Sequence, residues 1–318
     1  MTDARWMAAA LALATRGRGS SAPNPNVGCI VTAGGHVIGR GWTQPGGRPH
    51  AEAMALAQAG AAARGATAHV TLEPCAHASP RGPACADGLI AAGLARVVVA
   101  MTDPDPRTAG QGIARLRAAG IDVAEGVGEQ AARTELAGFI RRMAGQGPEV
   151  TLKLALSLDG RLALPDGRSR WITGEVARAH SHLERAAADA IIVGHGTWAT
   201  DAPALDVRLP GWSGRQPARA VLGSTAIDGI LTLSSLAELD DHGWQRVLVE
   251  GGGATAGALL AADRVDRLLL YCAPILIGDG RSLAGLALPD LAAAHGRWRL
   301  TDRRPLGSDS LEEYRRNR

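Results

Sequence analysis

The stretch LEPCAHASPRGPAC, residues 72–85, ends one short β-rich run, breaks it with Pro74, and supplies two cysteines, the second opening a helical run. Upstream, GRPHAEAM (47–54) carries His50-Ala51-Glu52 out of a Pro/Gly-rich segment and into another helix-like run. The order is therefore strand, His-x-Glu opening a helix, strand, Pro-Cys, then Cys opening a helix. Short strands alternating with Ala/Leu-rich helices are the α/β signature. One imidazole and two thiolates, from His50, Cys75 and Cys85, give zinc three ligands and leave a fourth position for water, the mark of a catalytic site. Zinc makes such water a nucleophile near neutral pH, able to attack an electron-poor ring carbon. Glu52, two residues past the first ligand, is placed to shuttle a proton to a departing amine. Both cysteines stand near expected helix N-termini, where the helix dipole favours thiolate. Taken singly these pieces are weak, because His-x-Glu arises by chance and most cysteines of this kind are buried thiols. Their order carries the reading. Cys29 and Cys272 fall inside strands away from the pattern and are read as core, as is His69.

Working outward, the first half offers strands at 27–33, 36–42, 68–72 and 97–101, a Gly34-Gly35 hairpin turn, and helices at 3–16, 51–63, 84–92 and 112–119. Gly145-Gln146-Gly147-Pro148 is the candidate boundary, giving domains 1–146 and 147–318. The second half offers strands at 150–157, 190–193, 218–222, 246–250 and 267–272, helices at 175–187 and 255–262, and a solvated tail at 315–318. The 318 residues are 46% apolar and 20% charged, as in a two-domain globular chain. Aromatics make up 3% and the net charge of +3 is dispersed, which argues against a nucleic-acid-binding surface. No apolar run is long enough for a membrane span, Asp3 and the arginines flanking 6–14 argue against a signal peptide, and four cysteines are too few for a disulfide scaffold. A soluble, cytoplasmic protein is expected.

The second half carries its own signals. Lys153, the one lysine of the chain, sits within TLKLALSLDGRLA (151–163), a run otherwise reading as a strand. A compact ammonium required where every other basic residue is Arg is one reading, and drift is the other. VLVEGGGATAGALL (247–260) reads as strand, glycine loop and helix, a form that brings backbone N–H groups to a phosphate but is as often only a turn. His180, His182 and His242 are read as surface residues, and His195, at a glycine turn, stays undecided between cofactor contact and none.

His-x-Glu with Pro-Cys…Cys resembles the signature of the zinc-dependent nucleobase deaminases. Nine residues between the cysteines, together with PNPNVG (23–28) and DPDP (103–106), make the first half similar to the deaminase half of the bifunctional riboflavin-biosynthesis deaminase–reductases. K-L-A-x-S-L-D-G, S-R-W-I-T (169–173), G-T…D-A-P-x-L-x-V-R (196–208) and V-E-G-G, in this order, resemble the reductase half of the same family. The resemblance implies a cytidine-deaminase-like zinc domain followed by a dihydrofolate-reductase-like α/β domain, with Zn2+ and NADPH as cofactors. It implies a pyrimidine ribotide as the small-molecule substrate, deaminated on the ring and then reduced from ribosyl to ribityl. It leaves room for a homo-oligomer built through the reductase domain.

By the same resemblance His50, Cys75 and Cys85 hold the metal, Glu52 moves the proton, and Asn24, His77 and Arg81 lie near the deaminase substrate. In the second half Ser169, Arg185, Leu205, Arg208 and Glu250 hold the sugar phosphate, with Lys153 beside the reacting sugar. Ala155, Trp171, Thr197, Asp201, Ser224 and the loop Gly252, Gly253, Ala254, Thr255, Ala256, Gly257 and Ala258 contact NADPH. Three departures stand out. The Cys75–Cys85 loop has one residue more than is usual, Asp105 stands where Asn is frequent, and the segment between Leu222 and Arg246 is short, with Gly223 in place of a frequent Asp. The short segment motivates an alternative, a deaminase whose second half is an inactive reductase-like domain.

Overall fold

A β-hairpin turned by Gly34 and Gly35 begins the first sheet: β1 (Gly28–Ala33) pairs antiparallel with β2 (His36–Trp42), Ala33 facing His36. Both glycines have positive φ, 56° and 79°, as a tight two-residue hairpin turn requires. This computed structural model describes residues 2–77 and 81–318, and its contacts fall into two units, Met1–Gln146 and Gly147–Arg318. Residues 78–80, within the long cysteine loop, lie outside the described residues, and with them much of what its extra residue does.

In the first unit β1 also pairs antiparallel with β3 (Thr67–Val70), while β3, β4 (Arg96–Val99) and β5 (Asp122–Glu125) run parallel. The sheet order is β2-β1-β3-β4-β5. Helix α1 (Asp3–Ala14) packs on β1 and β3, and α2 (Ala51–Ala59) on β2 and β1. Helices α3 (Cys85–Ala91) and α4 (Gln111–Ala118) touch each other, and α5 (Glu129–Glu135) and α6 (Ala137–Met143) end the unit. The inner face of α2 is Ala51, Ala55 and Ala59, spaced four apart. Small residues on both partners let the backbones close. A Cβ at Gly41 would stand 2.2 Å from the Ala51 carbonyl oxygen. Glycine in β2 therefore seats the first turn of α2, the turn that carries His50 and Glu52.

The second unit is built on an eight-stranded sheet, β12-β13-β11-β6-β10-β7-β8-β9. Parallel pairing runs from β11 (Arg267–Cys272) through β6 (Glu149–Leu156), β10 (Arg246–Val249), β7 (Ala190–Gly194) and β8 (Ala218–Leu222) to β9 (Leu231–Leu233). β12 (Trp298–Leu306) and β13 (Asp309–Arg316) form an antiparallel hairpin on β11. Pro305 fits at that edge because β12 has a neighbour on one side only. Helices α7 (Glu175–Ala186), α8 (His195–Asp201) and α9 (Gly253–Ala261) complete the unit.

Two expectations change. Residues 315–316 are not a solvated tail: they lie in β13, and Arg315 reaches the buried carboxylate of Glu149 at 2.8 Å. The short segment after Leu222 still forms an edge strand, because residues 223–230 suffice to bring β9 alongside β8 with Gly223 N–H donating to Leu233 O. No helix intervenes in that crossover.

Candidate functional site

Two sites emerge, one in each unit. In the first, His50 is the N-cap residue of α2, Cys75 follows β3 past Pro74, and Cys85 opens α3. Their donor atoms lie within 4.8 Å of one another, with His50 Nδ1 3.2 Å from Cys85 Sγ and 3.7 Å from Cys75 Sγ. Cys85 N–H donates to Cys75 Sγ at 3.3 Å. The neighbouring Cys85 thiol, then His50 and that backbone bond, hold the Cys75 thiol low, at about 4, against the opposing effect of burial. Cys85 is pushed up in turn, by the shared proton with Cys75 and by burial. One nitrogen and two sulfurs converging in this way fit zinc with a position left open.

Glu52 is 4% exposed, in the first turn of α2. Burial raises its carboxyl above the usual range, against the pull of His50. A carboxyl that keeps a proton more readily suits proton transfer near neutrality. Asn24 Nδ2 lies 3.2 Å from His50 Nε2 and donates to the Gly47 carbonyl, so Asn24 touches the ligand ring on its far side. His77 Nδ1 is 3.3 Å from Thr108 Oγ1, and Arg81 donates to Gly46 O. Asp103, 7% exposed, is pushed up to about 7 by burial and by the charges of Asp105, Glu73 and Cys75. Asp105 is matched by Arg107 through a two-oxygen contact at 3.0 and 3.1 Å, and this holds its pKa low.

In the second unit a cavity of about 1460 Å3 opens over the ends of the parallel strands. Lys153, Ser169, Arg185, Leu205, Arg208 and Glu250 all line it. So do Ala155, Trp171, Thr197 and Asp201, and from the glycine loop Gly252, Gly253, Ala254 and Thr255. Arg185 grips Glu250 with two bonds, at 2.6 and 2.9 Å. Burial opposes the charge on Glu250, but Arg185 and Lys153 outweigh it and lower its pKa. Burial lowers the Lys153 pKa, Glu250 opposing and Arg185 adding to the effect. The Lys153 ammonium also lies 5.6 Å from the centre of the Tyr271 ring. Leu205 is buried with φ of +49°, a strained backbone conformation of the kind that clusters at functional sites.

Four of the expected contacts stand apart from this cavity. Ser224 is exposed beyond β8, Ala256 and Gly257 are packed into the inner side of α9, and Ala258 faces outward. The glycine run gives way to helix at Gly253, so only the loop and the first turn reach the opening. Two histidines read as surface residues are half-buried instead: His180 Nδ1 bonds the Tyr271 hydroxyl at 2.8 Å, and His182 lines the cavity. His195 is exposed at the start of α8. Arg178, Arg281 and Ser282 line the cavity too and were not singled out, since no motif surrounds them.

The cavity exceeds the usual range for one small ligand, about 300–1,000 Å3. Its glycine loop leads into the N-terminus of α9, with Thr197 Oγ1 accepting from Gly252 N–H at 3.2 Å. Volume, arginines and a helix N-terminus fit a nucleotide cofactor together with a phosphorylated sugar.

Comparison with known proteins bears on both units. Residues 1–101 match the cytidine and deoxycytidylate deaminase zinc-binding region, and residues 148–310 the RibD C-terminal domain. The chain is 39% identical to the riboflavin biosynthesis protein RibD of Escherichia coli (strain K12), over 97% of this chain and 98% of that protein. That alignment spans 360 positions, more than the 318 residues here, so the relative has segments that this chain lacks. The Aquifex aeolicus RibD protein is 35% identical over 90% of this chain and 91% of its own. Among solved structures, Acinetobacter baumannii RibD superposes with a TM-score of 0.89 at 36% identity, covering 99% of both chains. The Thermotoga maritima diaminohydroxyphosphoribosylaminopyrimidine deaminase/5-amino-6-(5-phosphoribosylamino)uracil reductase gives 0.90 at 31% identity, again over 99% of both.

Proposed function

The chain belongs to the RibD family of riboflavin-biosynthesis proteins, and from that premise we propose how its two units divide the work. It is a bifunctional enzyme, deaminase and reductase. Deamination belongs to the first unit and reduction to the second. The substrate is a diaminopyrimidine ribotide, whose ring amine is hydrolysed and whose ribosyl group is then reduced to ribityl.

The convergence of His50, Cys75 and Cys85 beside the buried Glu52 carboxyl carries the first half of this reading. Held by those three residues, zinc supplies Lewis-acid activation of water at neutral pH. Glu52 takes a proton from the attacking water and returns protons to the ring nitrogen and the departing amine, so that water enters and ammonia leaves. Asn24 steadies the His50 ring through its second nitrogen, and His77 and Arg81 stand at the substrate's edge.

In the second unit NADPH supplies the hydride when bound. The protein's part is placement. Arg208 and Ser169 take the phosphate, and Glu250, itself fixed by Arg185, accepts from sugar hydroxyls. Lys153 lies on the same face as Glu250 and gives its proton to the opening sugar oxygen. The rival reading, an inactive second unit, is not favoured: the RibD C-terminal domain matches 148–310 and the cavity keeps Lys153, Arg185 and Glu250.

We place the enzyme in the cytoplasm. Among the described residues no helix is long and apolar enough to cross a membrane, and four free cysteines suit a reducing compartment. Self-association through the second unit is supported by the open edge of β12 and the exposed Leu158, Leu276, Leu291 and Leu300. The reading calls for no nucleic acid. A mass-resolved product assay with zinc-loaded protein, diaminopyrimidine ribotide and NADPH tests the whole. A product both deaminated and reduced is expected, and a deaminated product with intact ribose would overturn the assignment of the second unit.

A further inference from the structure

Glu73 lies between β3 and the ligand turn Pro74-Cys75, and the reactions above give it no task. It is 3% exposed. A carboxylate out of water is costly unless its oxygens are occupied. Four backbone N–H groups occupy them: Asp103 (3.0 Å) and Gly110 (2.9 Å) donate to one oxygen, Gly112 (2.8 Å) and Ile113 (3.1 Å) to the other. Three of the four belong to the start of α4, whose N-cap residue, Gly110, has no side chain to cap it. The approach depends on Gly112, where a Cβ would stand 2.0 Å from the Pro74 carbonyl oxygen and 3.2 Å from Glu73 Oε1.

Segment 103–113 is thus pinned at both ends to the turn that delivers Cys75. Between the pins it carries Thr108, whose hydroxyl is 3.3 Å from His77 Nδ1. Resting on the deaminase reading, we propose that Glu73 is a positioning residue for deamination: it ties loop 103–112 to the Cys75 turn so that Thr108 holds His77 against the substrate. Glu73 acts through the loop and does not touch the ribotide.

Glu73→Gln and Gly112→Ala test this in the full-length, zinc-loaded chain. The first exchanges an acceptor for a donor at nearly constant size, and the second lifts α4 from Pro74 without changing charge. Both variants should keep wild-type zinc content and reductase rate, while the deaminase KM for the ribotide rises about tenfold or more and kcat stays within about threefold. Unchanged KM in both variants overturns the proposal. So does a loss of zinc with kcat falling as far as KM rises, the pattern of a residue that only supports the fold. If Glu73→Gln fails to fold, Gly112→Ala alone decides between these outcomes. Wild-type protein that releases no ammonia would overturn the deaminase reading itself, a failure distinct from wild-type turnover with unaltered variants.

Discussion

On the proposed mechanism two side chains hold the proton chemistry, and burial shifts both. Glu52 sits among two thiols and an imidazole, out of water, so its carboxyl keeps a proton more readily than a surface carboxyl does. Glu52→Gln preserves the size of the group and removes the titratable carboxyl that takes up and releases the proton. Deamination should fall by about 10²–10⁴-fold with zinc content unchanged. Metal analysis beside an ammonia assay checks both, and normal turnover would remove Glu52 from the reaction. Lys153 is the mirror case. Burial lowers its pKa below the ordinary 10.5, and although Glu250 resists, Arg185 pushes the same way. Because the ammonium is the acid, the reductase rate should decline as pH rises through that lowered value, still on the acid side of 10.5. In Lys153→Arg the guanidinium stays charged, so the slower residual rate should lose this alkaline limb. A wild-type profile flat across that range would show that Lys153 donates no proton.

Strand β13 shows how an element can hide in a sequence. Its last residues, Arg315 and Arg316, read as the start of a solvated tail at 315–318, because with Glu312 and Glu313 before them charge covers both faces and no apolar alternation marks a strand. The charges are instead consumed pairwise: Glu313 bonds Arg267 at 2.6 Å, and Arg315 reaches Glu149, whose side chain is 2% exposed. Arg315→Ala should cost about 3 kcal/mol, at the low end for a broken buried pair because Arg246 stays near Glu149. Burial works against the Glu149 charge, but Arg246 and Arg315 win and depress its pKa below the ordinary 4.5. A depressed carboxylate stabilises above 4.5 and ceases to do so as pH falls through the folded value. The variant's deficit in denaturant melts should therefore be full at neutral pH and shrink in acid. Apolar-rich elements were legible: β1, β2, β7 and β8 follow Val, Ile and Ala runs, and α2 follows its alanines. β5 and β9 were missed as short pieces, and α8 because GHGT reads as a turn. The convergence of His50, Cys75 and Cys85 was legible because a zinc site demands particular side chains. Glu73 was not, since its partners are backbone N–H groups that any residue supplies, and cavity residues such as Arg281 come from loops without a motif.

At the scale of the molecule, the two activities draw on separate supports. One apolar cluster runs from Met7 to Phe139, and the others are built from Val150 onward, so each site stands on a core of its own. On the proposed mechanism each also needs a different helper, zinc for the first and NADPH for the second. Stripping zinc removes the ion that would tie His50, Cys75 and Cys85 together, and leaves the lowered Cys75 thiol and the raised Cys85 thiol sharing a proton. Chelation should therefore abolish ammonia release and lower the melting temperature of the first unit, as loss of a ligand bound only by the folded form must. Reduction of a substrate supplied already deaminated should continue at its full rate, because the candidate metal cluster among the described residues, His50, Cys75 and Cys85, lies wholly in the first unit. Rates measured on that substrate, with and without chelator, make the comparison. If the reductase falls in parallel with zinc loss, the second site depends energetically on the fold of the first, and separate cores do not amount to separate stabilities.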